Sequence, residues 1–147
     1  MVLAMKTLSA RDVPAVLQRA LVYTLASLTV FVLVLLALRY GEAFRLSEAW
    51  YSPQAVWRNV EATWTEFLRL GVLVLLPASL LGSLGRSELA SHGIAALATV
   101  ALALLWSMVG GIGGSLAMLP AALGGIVLVA IARTIWRGAR RHPRVPR

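Results

Sequence analysis

The chain contains no cysteine. That absence removes disulfide staples, thiolate catalysis and Cys-ligated metal or iron–sulfur centres, and it leaves the compartment open. Charge is scarce too. Asp, Glu, Lys and Arg make up 14% of the 147 residues, against about a quarter in a typical soluble domain. Acids are the scarcest: Asp12, Glu42, Glu48, Glu61, Glu66 and Glu88 are all of them, and each lies outside the long apolar runs. A proton- or cation-coupled antiporter, or a small drug-efflux pump, needs a carboxylate at membrane depth, and none is available. Histidine is limited to His92 and His142. Neither has a second His at a metal-ligand spacing, so His92 reads as an interfacial histidine at the start of a span, with axial ligation of a haem or chlorin as the lesser alternative.

Catalytic sets are missing as well. The "GGIGGS" segment, Gly110 to Ser115, lacks the Lys-Ser/Thr of a phosphate loop and follows no strand signal, so it reads as a close-packed turn. Ser79, Ser83, Thr99 and Ser107 have no neighbouring base in the sequence. Glu61 and Glu66 are five apart, about 140° around a helix, and do not converge as an acid–base pair. The expectation is no enzyme, with no catalytic, metal or cofactor-binding residues.

What the chain does have is apolar length. Hydrophobic residues make up 59% of it, and a spanning helix needs about 20 of them in sequence. Four runs qualify: residues 20–38, bounded by Arg19 and Arg39; 67–84, with Arg69 close enough to its start to snorkel outward; 93–109; and 116–136. The first is too long for the core of a signal peptide, and no cleavage site follows it. The last two are joined by the glycine segment alone and read as a tight hairpin. The expected fold is therefore an all-α integral membrane protein with four transmembrane helices. It divides into a cytoplasmic segment 1–19, a membrane domain 20–136 with an external loop 39–66, and a basic tail 137–147.

Orientation follows from the basic residues. Lys6, Arg11, Arg19, Arg86, Arg133, Arg137, Arg140, Arg141, Arg144 and Arg147 fall on one side of a four-span chain; Arg39, Arg45, Arg58 and Arg69 fall on the other. Both termini are thus expected in the cytoplasm of a bacterial-type inner membrane. The net charge of +8 follows from this asymmetry. Arg137, Arg140, Arg141, Arg144 and Arg147 are read as contacts to anionic lipid headgroups, in preference to nucleic acid.

The external loop carries Trp50, Trp57 and Trp64 at intervals of seven. Ser52-Pro53 is a good helix start, and an amphipathic helix running from it puts Trp57 and Trp64 about 20° apart on one face. Arg58, Asn59, Glu66 and Arg69 fall opposite. Such a helix lies at the outer surface or leads obliquely into the second span. Trp50, Trp57, Trp64 and Trp106 read as an interfacial belt with Tyr40 and Tyr51, and Trp136 marks the inner face. The alternatives for the belt are contact with a partner protein and, behind that, a site for a pigment or quinone.

Small residues recur every four positions in the third run, at Ala95, Thr99, Ala103, Ser107 and Gly111, and in the fourth, at Ala117, Ala121 and Gly125. Ridges of this kind let helix backbones approach in lipid, although Ala-rich helices also produce them by chance. Pro77 should kink the second span and free the carbonyl of Leu73. Pro120 marks the start of the fourth.

These features together suit a non-catalytic membrane subunit that stabilises or scaffolds a larger inner-membrane complex, a transporter or an energy-transducing assembly. Its partners would be other membrane subunits and anionic lipid. Two short segments give this a sharper form. "LRY" closes the first span at Leu38 to Tyr40, and "WTEFLR" occupies Trp64 to Arg69. In these the chain resembles the small membrane subunit of tripartite ATP-independent periplasmic transporters, which also implies four spans with both termini inside. The chain departs from that pattern in three ways. Phe67 replaces a second consecutive Glu, the first loop is long, and no amphipathic helix separates spans two and three. A holin-like pore-former is a further alternative; the lack of a polar helix face to line an aqueous lesion counts against it.

The absence of cysteine gives a clean background for testing the topology. Gln54→Cys is expected to react with a membrane-impermeant thiol reagent in intact cells, and Val145→Cys only after lysis. The reverse pattern inverts the topology.

Overall fold

The computed structural model describes residues 12–40, 53–109 and 113–141. Among the described residues there is no strand, and four helices are long and apolar enough to cross a membrane. Helix α1 is Val13–Tyr40. Helix α2 runs from Pro53 to Leu70, passes through a π-helical turn at Gly71–Leu75 and continues as Leu76–Gly82. Helix α3 is Glu88–Met108, and α4 is Gly113–Arg141.

Each helix begins ahead of its apolar run. Helix α1 starts at Val13, with Pro14 in its first turn where a missing N–H costs nothing. It carries Arg19 inside the helix, and Val16 and Ala20 are buried around it. Helix α3 starts at Glu88, ahead of residue 93, because Ser87 caps it: the Ala90 N–H donates to Ser87 Oγ at 3.1 Å, and the Glu88 carboxylate sits at the positive helix end. Hydropathy marks where lipid contact is favourable, whereas caps decide where a helix stops. Helix α4 begins at Gly113, so Pro120 lies inside it and does not mark its start. It removes there the N–H that Leu116 O would accept.

The second helix differs most from a plain span. The segment with Trp57 and Trp64 continues without a break into the apolar run. Val56, Phe67 and Leu70 are buried on one side, while Trp57 and Trp64 stay exposed. The π turn places one extra residue ahead of Pro77, and the Leu76 N–H bonds back to Gly71 O. Pro77 has no N–H to return to Leu73 O. That carbonyl instead accepts the indole N–H of Trp106 at 3.2 Å. A bare carbonyl in hydrocarbon costs several kcal/mol, so this bond from α3 answers a need created in α2.

The core contains Tyr23, Phe67, Leu70, Val74, Leu75, Ala95, Met118, Ala122 and Ile126, with side chains from all four helices. Phe31 and Phe67 meet as tilted rings, centroids 5.3 Å apart. Lipid tails are as apolar as leucine, so burial alone does not hold such helices together; close approach must. Glycine supplies it at three crossings. A Cβ on Gly125 of α4 would lie 2.5 Å from the backbone N of Ser27 in α1. One on Gly71 would lie 2.7 Å from Thr24 Oγ1, and one on Gly82 would lie 2.8 Å from Ser91 O. Polar hydroxyls at these crossings turn inward: Thr24 Oγ1 donates to Ala20 O at 2.8 Å and Ser27 Oγ to Tyr23 O at 2.7 Å.

Gly125→Ala forces the α1–α4 backbones apart and is expected to destabilise the bundle by about 1–3 kcal/mol, as overpacking does elsewhere. Gly138→Ala, in the same helix with open space around it, is the matched control and should be neutral or stabilising by up to about 1 kcal/mol through helix propensity. Thermal unfolding in detergent measures both.

Candidate functional site

Polar groups gather where the first turn of α3 meets α1 and α4. Arg19 and Tyr23 are one turn apart on α1, so their side chains share a face. Opposite them, Ser91 and His92 are both buried. Arg19 Nη1 donates to Ser91 Oγ. Tyr23 Oη and His92 Nδ1 share a hydrogen bond of 2.5 Å, with ring centroids 5.8 Å apart. From α4, Arg137 Nη2 donates to Glu88 Oε1 as an ion pair. Three contacts between residues far apart in sequence thus tie the start of α3 to both neighbouring helices. Gly85, in the turn before α3, allows this closeness; a Cβ there would lie 2.6 Å from Ser91 N.

Beside this cluster lies an open groove of about 610 Å³, lined by one residue each from α1 and α3 and otherwise by α4. Val22, Val129 and Ala132 form its apolar wall. Glu88, Arg133, Trp136 and Arg137 form its rim. Arg140 lies over the Trp136 ring, 4.8 Å from its centroid, a cation–π contact. Arg137 and Arg140 occupy the last turns of α4, where the helix dipole favours cations.

The residues singled out in the sequence are distributed unevenly. Ala95, Thr99 and Ala103 form a fully buried row on α3, with Thr99 Oγ1 donating to Ala95 O at 2.7 Å; Ser107 is half-buried. Ala121 is buried too, and Gly125 is pressed against α1. Trp57 and Trp64 are exposed. Trp106 is half-buried, and its N–H goes to Leu73 O where the belt reading directs it to water. Trp50, Gly111, Arg144 and Arg147 lie outside the described residues, as do the side chains of Ala117 and Arg141.

The sequence reading missed Tyr23, Ser91 and the role of Arg19. The available signal was an Arg and a Tyr one turn apart at the edge of an apolar run, both of which need a polar neighbour when a helix covers them. It placed His92 at the start of a span without a partner; the residue is buried and bonded to Tyr23. Ser79 Oγ is the buried side-chain polar atom left without a hydrogen-bond partner among the described residues.

No family model matches the chain, and no match is found among curated proteins or solved structures. The likeness of "LRY" and "WTEFLR" to a transporter subunit therefore rests on those two segments alone.

Tyr23→Phe leaves His92 Nδ1 buried without its partner and is expected to cost about 1–3 kcal/mol. Adding His92→Leu removes both polar partners and should recover much of that loss, since a buried pair replaced by apolar groups is often near neutral. Thermal unfolding of the single and double variants measures this; a fully additive double loss means the two side chains act separately.

Proposed function

We infer that this chain is a non-catalytic integral membrane subunit that stabilises or scaffolds a larger inner-membrane complex. In this reading both termini are cytoplasmic, α3 and α4 form a hairpin, and the Trp-bearing half of α2 sits at the external interface. Its partners are other membrane subunits and anionic lipid. The observation that carries the reading is how the buried polar groups are used. Ser91, His92, Tyr23, Thr99, Ser27 and the Leu73 carbonyl are each bonded within the bundle. Polar groups inside a membrane are retained for a helix contact or for chemistry. Here contacts between helices occupy Ser91, His92, Tyr23 and the Leu73 carbonyl. Ser27 and Thr99 bond to their own helix, and Ser79 Oγ is left without a partner among the described residues. Work is then left to the outer surface, where Trp57 and Trp64 project from α2 and aromatic side chains are well suited to a neighbouring subunit or to the interface.

Reconstitution of the purified chain alone into dye-loaded liposomes tests this reading. Tight vesicles are expected. Robust leakage overturns the subunit reading in favour of a pore-former. Trp57→Ala with Trp64→Ala should loosen assembly or interfacial anchoring while leaving the fold intact, since both side chains are exposed.

A further inference from the structure

We propose that the groove between α1 and α4, at the first turn of α3, binds one anionic glycerophospholipid, its phosphate held by Arg133 and an acyl chain lying along Val22, Val129 and Ala132. The inference goes beyond the subunit reading and stands whether or not that reading does, since it needs only that the four helices cross a bilayer. The charge balance of the rim is the first reason. Glu88 is the acid that lines the groove, and its carboxylate is paired with Arg137. Arg133 has no hydrogen bond or ion pair among the described residues. The rim therefore keeps one uncompensated positive charge. A phosphodiester carries one negative charge and offers two oxygens to the planar guanidinium fork. A zwitterionic headgroup brings its own cation to the same rim and gains less.

The second reason is the division of the groove into two chemistries. Its rim is cationic and aromatic, and its wall is Val22, Val129 and Ala132. A free phosphate ion would use the rim and leave the wall bare. A lipid uses both. Trp136 stands at the rim with most of its ring exposed, suited to the boundary between headgroup and acyl chain. A lipid reaches such a groove by moving within its own leaflet, so no opening of the bundle is required.

Native mass spectrometry of the purified full chain, titrated with dioleoylphosphatidylglycerol or dioleoylphosphatidylcholine, tests the site. One phosphatidylglycerol should be retained per chain in preference to phosphatidylcholine. Arg133→Gln should weaken that retention by at least about tenfold, the loss expected for a charge-assisted hydrogen bond. Ala132→Trp, at an exposed position of the wall, fills the groove without altering charge and should give a similar loss. Arg58→Gln combined with Arg69→Gln, exposed on α2 and away from the groove, should leave retention unchanged. Equal retention of the two lipids overturns the proposal, as does full retention by either groove variant. Loss on changing these α2 arginines alone assigns the effect to diffuse attraction and also overturns it. Complete displacement by millimolar inorganic phosphate marks an anion site without a lipid chain and does so too.

Discussion

Helices in hydrocarbon gain nothing by exchanging lipid for one another unless they make contacts that lipid cannot. That constraint applies to four helices long and apolar enough to cross a membrane, and its sharpest expression is Gly125 of α4 against the backbone of Ser27 in α1. Dispersion falls steeply with distance, so two backbones brought together over a missing side chain gain what apolar burial cannot supply here. The same arrangement recurs where Gly71 meets Thr24 and Gly82 meets Ser91. Every helix takes part in at least one such crossing. The hydroxyls involved, Thr24 and Ser27, bond to their own helix and present no orphan polar group to the neighbour.

Close approach alone would permit sliding, and α3 is fixed against it near each end. At its start, Ser91, His92 and Glu88 bond to α1 and α4. Toward its end, Trp106 bonds to Leu73 of α2. The second contact exists because the backbone of α2 is irregular. A π turn and Pro77 interrupt the regular ladder, and a carbonyl that lacks its usual donor is a directional acceptor at a set height in the bundle. Proline is usually discussed as a source of bending; here it also provides an address to which another helix can bind. His92 and Trp106 are fourteen residues apart on α3, close to four turns, so both contacts fall on nearly one side of the helix.

Much of this was legible. The four apolar runs gave the helix count, since length and hydropathy report directly on compatibility with a bilayer. The small-residue row Ala95, Thr99, Ala103 was visible as a four-residue period and is buried. The free carbonyl at Leu73 was readable from Pro77 alone. Its partner was not, because Trp106 is thirty-three residues away and an indole at a span's end suits water equally well. The cluster around His92 was hidden for a related reason: Arg19 and Glu88 sit at the margins of apolar runs, where charges ordinarily face water. Whether such a residue faces water or a neighbouring helix depends on which helices are adjacent, and hydropathy along one chain does not specify adjacency.

The bundle therefore has an interior occupied with its own cohesion and a surface that is not uniform. On α2, the buried side chains Val56, Phe67 and Leu70 lie on one side and Trp57 and Trp64 on another, with Arg58, Glu61 and Arg69 exposed beyond them. Glu66 accepts from Arg69 at 2.8 Å, one turn along the same helix. Such a three-sided helix suits a boundary between bundle, lipid and water better than the middle of a bilayer. The groove at the arginine-bearing end of α4 has the same mixed character, lined by Val22, Val129 and Ala132 together with Arg133 and Arg137. Both features combine apolar, aromatic and charged side chains on one surface, the mixture suited to a boundary between apolar and aqueous phases.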